Sequence, residues 1–215
     1  MFNYLIRVHL PDRPGALGAV ASRIGSVGGD LVSIDILERV KGVVIDELGV
    51  GLAGDHLIDL LREEVLEVDG VSIESLRPVE GALPDRYLDL LEVAAELFKQ
   101  RSPKALLEHL TVRVRRSLAA GFAAVLDTGA TAVVASDGPV PDGGGLNALV
   151  LQAMGPAEDS FEDPLEDGAG VAVARMAEAD LILVVGRSDP VLRERERQWI
   201  SIIAELADHG WGNRV

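Results

Sequence analysis

The chain has 215 residues, 48% of them hydrophobic, which allows one large domain or two small ones with a real buried core. Its formal net charge is −15, with no cysteine; this excludes disulfides, thiolate metal sites and cysteine nucleophiles, and it points to a cytoplasmic protein. Residues 1–80 carry 7 basic and 14 acidic side chains and the rest 13 and 21, so neither half attracts phosphate polyanions, and neither nucleic acid nor an anionic membrane is an expected partner.

The opening residues, MFNYLIRVHLPD, have no basic n-region, apolar h-region or cleavage signal, so no secretory leader is expected. No apolar run reaches the length of a membrane span. Residues 3–10 alternate and read as a strand. Pro11–Gly15 breaks it, and Pro14 suits a first helical turn. Leu17, Val20, Ile24 and Val27 then recur at helical spacing until Gly28–Gly29 stops the helix. Residues 31–39 alternate, with Val32, Ile34 and Ile36 on one face and Ser33, Asp35 and Leu37 on the other. A turn at Val40–Gly42 leads into a strand over 43–52, making a hairpin. Residues 55–67 read as a helix with Leu57, Leu61 and Val65 one turn apart, and 71–79 as a strand. The order β-α-β-β-α-β within 1–79 is the ferredoxin-like split βαβ arrangement, an antiparallel sheet with both helices on one face.

Residues 80–85 read as a linker, and 86–215 as a second domain. Helices are expected over 86–100 and 103–119, and strands at 122–127 and 131–136. The stretch 137–170 holds eight acids and no base, and reads as a long loop with one helix at 145–154. Strands at 170–175 and 180–186 and a helix over 190–208 complete the chain, with a loose tail. Arg193, Arg195 and Arg197 alternate with acids, the pattern of a solvated face. The class is α+β, with the second domain's helices gathered at its ends.

One stretch carries more than a fold. Leu10-Pro-Asp-Arg-Pro-Gly-Ala-Leu-Gly18, followed by Gly28-Gly-Asp-Leu-Val-Ser-Ile-Asp35, resembles the ACT domain family over residues 1–79. That resemblance implies a homodimer paired through the sheet edge, with an amino acid or related small metabolite bound at the junction. Amides at a helix start after Pro14 suit a carboxylate, and Gly15 permits close approach. Asp12, Asp30 and Asp35 are candidates for an α-amino group. The full candidate set is Asp12, Arg13, Pro14, Gly15, Ala16, Leu17, Asp30, Ser33 and Asp35. Asp30 stands where amino-acid-binding members commonly have Asn. Each residue also has a purely structural role open to it: Asp12 as a helix cap, Gly15 and Gly18 as close packing, Asp30 as a turn former.

Residues 86–208 are similar in element order to GAF-type sensory domains: Leu88–Phe98 leading in, the hairpin Phe122–Ser136, then Leu181–Gly186 followed by Asp189–Ala207. Other patterns point elsewhere and are weighed lower. Gly49-Val-Gly-Leu-Ala-Gly54 matches a dinucleotide fingerprint but follows a hairpin arm rather than the first strand of a crossover. Gly143–Gly145 lacks the Lys-Ser/Thr of a phosphate loop and reads as flexible. Asp159, Glu162, Asp163, Glu166 and Asp167 offer oxygen ligands for Mg²⁺ or Ca²⁺, but a solvated loop is the simpler reading. His9, next to the first turn, is a candidate neighbour of a ligand. No nucleophile signature appears.

The expected function is therefore non-enzymatic: a regulatory sensor, with no cofactor, that signals to a partner protein not identified by the sequence. The alternatives are a metal-dependent enzyme working through the acidic loop and a ligand-free dimerisation scaffold.

Overall fold

The computed structural model describes residues 1–129, 132–154 and 170–212. The chain divides into two compact units, Met1–Asp85 and Arg86–Val215. Both are α+β, each built on a four-stranded antiparallel sheet.

In the first unit the order is β1 (Phe2–Pro11), α1 (Ala16–Ser26), β2 (Asp30–Val40), β3 (Val43–Leu52), a short 3₁₀ turn (Asp55–Leu57), α2 (Ile58–Leu66) and β4 (Ser72–Val79). The sheet order is β2-β3-β1-β4, so β3 splits the parallel pair β1 and β2, as the sequence predicts. Val40 pairs with Val43 across Lys41 and Gly42, both with positive φ (45° and 83°), the two-residue turn whose twist matches the flanking strands. Strand alternation puts Tyr4, Ile6, Val8 and Leu10 on one face. There they meet Ala16, Val20 and Ile24 of α1 and Leu61 and Val65 of α2 in one core.

β2 does not keep the simple alternation expected from its sequence. Its pairing with β3 slips between Leu31 and Ser33 and again between Ile36 and Glu38. Val32 and Leu37 are thus extra residues in bulges. Leu31 and Ile36 pack on the helix side, while Val32 is exposed and Leu37 is buried away from that core. Each bulge shifts the phase by one residue, and a period-two reading cannot follow that.

The second unit contains α3 (Arg86–Lys99), α4 (Pro103–Ser117), β5 (Phe122–Asp127), β6 (Val133–Asp137), α5 (Gly143–Met154), β7 (Val171–Met176), β8 (Leu181–Gly186) and α6 (Glu194–Gly212). Its sheet order is β6-β5-β8-β7. Both faces of this sheet are covered. Ala123, Val125, Leu183 and Val185 pack with Leu106 and Leu110 of α4 and Trp199 and Ile203 of α6. On the other side Phe122, Ala124, Leu126 and Val184 pack with Leu146 of α5. That explains the unbroken apolar runs FAAVL and LILVV, which one-sided strands would not have.

Three expectations are corrected here. Gly143–Gly145 are not a flexible stretch; they begin α5, and the Gly145 amide donates to Asp142 Oδ1 at 2.8 Å, an N-terminal cap. Residues 209–212 are not loose but continue α6, because Trp211 packs on the core and Asp208 accepts the amides of Glu178 and Ala179 at 2.9 Å. Residues 193–197 are not simply a solvated face. Arg193 and Glu196 are buried, Arg195 and Arg197 are half-buried, and Glu194 is exposed. The acids Asp159, Glu162, Asp163, Glu166 and Asp167 lie outside the described residues. Among the described residues no helix is long and apolar enough to cross a membrane.

Candidate functional site

The Asp-Arg-Pro-Gly turn joins β1 to α1. The Asp12 amide donates to Gly42 O at 2.8 Å, tying the turn to the neighbouring hairpin, and the Arg13 amide donates to Pro11 O at 2.8 Å. Gly15 then takes a left-handed conformation (φ 89°, ψ −11°) and serves as the residue before the helix. Among the described residues no side chain caps α1. The Ala16 amide reaches Arg13 O at 3.3 Å, and Gly15 O accepts the first helical bond from Ala19 at 2.9 Å. Ala16 is buried and Leu17 packs partly on the core, so these two anchor the helix while Arg13, Pro14 and Gly15 face solvent. An uncapped helix start is a place where backbone N–H groups and the helix dipole favour negative charge.

Asp12 does not cap the helix. Its Oδ1 accepts from Arg39 Nη1 of β2 at 2.8 Å, an exposed ion pair beside the turn. The open space around Gly15 makes a simple prediction. A methyl group there meets no atom within 4 Å, but the positive φ strains any L-residue. Gly15→Ala is expected to cost about 1 kcal/mol through backbone strain alone. A urea unfolding curve checks this, and an unchanged midpoint would contradict it.

The remaining candidates lie elsewhere. β1 and β2 run parallel, so the Asp30 end of β2 is at the opposite end of the sheet from Asp12. Some ten residues at about 3.3 Å each separate them, roughly 30 Å. Ser33 pairs with Gly49 and Asp35 with Glu47, on the face away from the helices. That face carries a buried ion pair, Arg7 Nη2 to Glu47 Oε2 at 2.9 Å. His9 joins it rather than the turn, with Nε2 at 3.0 Å from Glu74 Oε2. Within one chain the structure therefore groups Asp12 through Leu17, and it places Asp30, Ser33 and Asp35 apart from them.

The glycines of the dinucleotide-like run sit inside or just after β3 rather than in a phosphate loop. A Cβ on Gly49 would lie 2.3 Å from Ser33 Oγ, and one on Gly51 2.6 Å from Met1 Sδ. They are there for close packing. Among the described residues no group of three His, Asp or Glu side chains is placed to hold a metal ion.

Two charged residues were not singled out from sequence: Arg39, which meets Asp12 beside the turn, and Asp46, which lies inside β3. Asp46 pairs with Val8 and Ile36, both on the helix side, so its carboxylate enters the core side of the sheet. It is 2% exposed. Burial raises its pKa from 3.8 to about 6, against the opposing pull of nearby Arg39.

No protein-family model matches the sequence, and no curated protein matches it. Among solved structures, the chain is similar to an unknown protein from Galdieria sulphuraria (15% identity, TM-score 0.33), with 44% of this chain covering 64% of that one. It is also similar to the ACT domain of a GTP pyrophosphokinase from Chlorobium tepidum (15% identity, TM-score 0.30, 39% of this chain and 92% of that one). A third likeness is to the chromophore-binding domain of a bacteriophytochrome from R. palustris (12% identity, TM-score 0.41, 99% of this chain and 93% of that one). All are likenesses of chain trace at low identity.

Proposed function

We propose that this chain is a non-enzymatic regulatory protein whose first unit, an ACT-like module, binds an amino acid or similar small metabolite at the Asp12–Leu17 turn. The observation that carries this reading is the start of α1: among the described residues no side chain caps it, Gly15 leaves open space before it, and a charged pair, Asp12–Arg39, stands alongside. A carboxylate fits the amides, and the charged pair offers polar partners for the rest of the ligand. The second unit is read as a GAF-like module on its element order, and output passes to a partner protein.

Homodimerisation through β2 belongs to the same reading. β2 is an edge strand, with Val32 54% and Ile34 46% exposed. Two copies joined antiparallel along β2 would bring the Asp30 end of one beside the Val40 end and Asp12 turn of the other. The halves of the candidate set, separate in one chain, would then meet. Ile34→Lys is expected to shift a dimer to monomer in sedimentation at micromolar concentration. A wild-type chain that sediments as a monomer throughout, or a variant that remains dimeric, would contradict this. The exposed edge also supports the scaffold reading, in which the unit assembles without a ligand.

The test of binding is thermal unfolding of the full chain with each of the twenty amino acids. A ligand that binds only the folded state adds about 2.7 kcal/mol at 100 times its Kd. A selective rise, lost in Gly15→Ala, is expected. A response to none of them would leave the scaffold reading in its place.

A further inference from the structure

The outer face of the first sheet holds a notch. Gly49 of β3 pairs with Leu5 on one side and Ser33 on the other, and its missing side chain leaves room above the strand. Leu83 fills that room. A Cβ on Gly49 would stand 3.0 Å from Leu83 Cδ1 and 3.3 Å from Cδ2, so the two methyl groups rest on the glycine, and Ser33 Oγ is the other wall. The same segment is tied a second time. Asn3 Nδ2 of β1 donates to Gly81 O at 2.6 Å, and Gly81 turns there with φ 83°. Between Val79, the end of β4, and Leu83 the chain therefore crosses β1 to reach β3. Three residues later α3 begins at Arg86. The stretch that reads as a linker in sequence is a strap, fixed at two points to the sheet, Gly81 and Leu83, before it enters the second unit.

The strand beside the notch offers a second apolar residue. In β2 the pairing slips between Leu31 and Ser33, so Val32 and Ser33 together oppose the single residue Gly49. Ser33 holds the place opposite Gly49, and Val32, the extra residue, is 54% exposed. Moving the bulge by one position puts Val32 opposite Gly49 and makes Ser33 the extra residue, while Leu31 keeps Val50 and Ile34 keeps Leu48. That shift buries an exposed valine, which is favourable, but the branched side chain needs the space that Leu83 occupies. The notch takes one apolar side chain or the other. We propose that Val32 and Leu83 compete for the Gly49 notch, so that the position of the bulge in the edge strand β2 controls the chain leading into α3. Coupling between distant parts of a protein requires a two-state element of this kind. The exchange needs no effector, and so it stands or falls separately from the binding reading above.

The test is NMR on the isotope-labelled full chain without ligand. In the wild type, nuclear Overhauser contacts are expected between the Leu83 methyl groups and the Gly49 α-protons. Backbone order parameters over residues 81–83 are expected near the rigid value of about 0.85. In Leu83→Ala the contacts with Gly49 are expected to pass to the Val32 methyl groups, and order parameters over 81–83 to fall below about 0.6 while those of β3 hold. Adding Val32→Asn, whose polar side chain does not suit an apolar notch, is expected to return Ser33 to its place opposite Gly49 with the strap still loose. Wild-type order parameters below about 0.6 at 81–83 would show a free linker and overturn the proposal. A Leu83→Ala chain that keeps a rigid strap, or one in which Val32 stays away from Gly49, would overturn it as well.

Discussion

Replacing Glu196 with alanine is expected to destabilise the second unit by about 3–5 kcal/mol, the cost of stranding a buried charge. Glu196 accepts Arg187 Nη2 on both oxygens, at 2.8 and 2.7 Å, and also the Arg193 amide at 2.9 Å. Arg187 is only 5% exposed. It also donates to the carbonyls of Leu118, Pro190 and Val191, so it knits the end of α4 to the approach to α6. Taking away the carboxylate leaves a guanidinium fixed among carbonyls in a dry site. Both tryptophans of the chain, Trp199 and Trp211, lie in α6, so tryptophan fluorescence during urea unfolding reports on this unit alone. Glu196→Gln retains one acceptor and should fall between wild type and alanine. A loss below about 1 kcal/mol would mean the pair is worth no more than an exposed one.

The second large effect concerns the first unit and depends on pH. The pKa of Asp46 is raised on folding, from 3.8 to about 6. The folded state therefore holds this proton more tightly than the unfolded state, and the stability gained is fully present below pH 3.8. It is lost as pH rises through about 6. About two pKa units at 1.36 kcal/mol each give a contribution of about 3 kcal/mol. Asp46→Asn is expected to remove this component, so the variant should be more stable than wild type at pH 8, with the difference shrinking towards pH 4. The first unit contains no tryptophan, so its transition is the one seen by calorimetry and not by tryptophan fluorescence. Parallel pH profiles for the two proteins would contradict the assignment.

The same residues show how far a sequence speaks for itself. Helical spacing marked Val20 and Ile24, and strand alternation marked Ile6, Val8 and Leu10, because those periods follow directly from backbone geometry. The turn Asp12–Gly15 was legible for the same reason: Pro and Gly each allow few conformations. Asp46 left a signal too. In VVIDELGVGL it shares the phase of Val44, Leu48 and Val50, all of which point to the core, so an acid stands where an apolar residue belongs. Arg39 left none, since two bulges in β2 decide which way it points, and bulges depend on pairing partners rather than on local pattern. The Arg193–Arg197 stretch misled because alternating charge is the pattern of a wet surface. Glu196 is turned inward to meet Arg187, which is distant enough in sequence to escape a helical-face reading. The spread of Asp12 and Asp30 to opposite ends of the sheet follows from strand direction, which a motif does not carry.

The most direct test of the effector site is a titration of the isotope-labelled chain, followed by amide NMR, with whichever amino acid raises its thermal stability. Binding at the start of α1 predicts that the largest shifts fall on the amides of Gly15 through Gly18, with a smaller one at Arg39. Shifts centred in the second unit around β7 and β8, with none at Gly15 through Gly18, would place the ligand elsewhere and contradict the assignment.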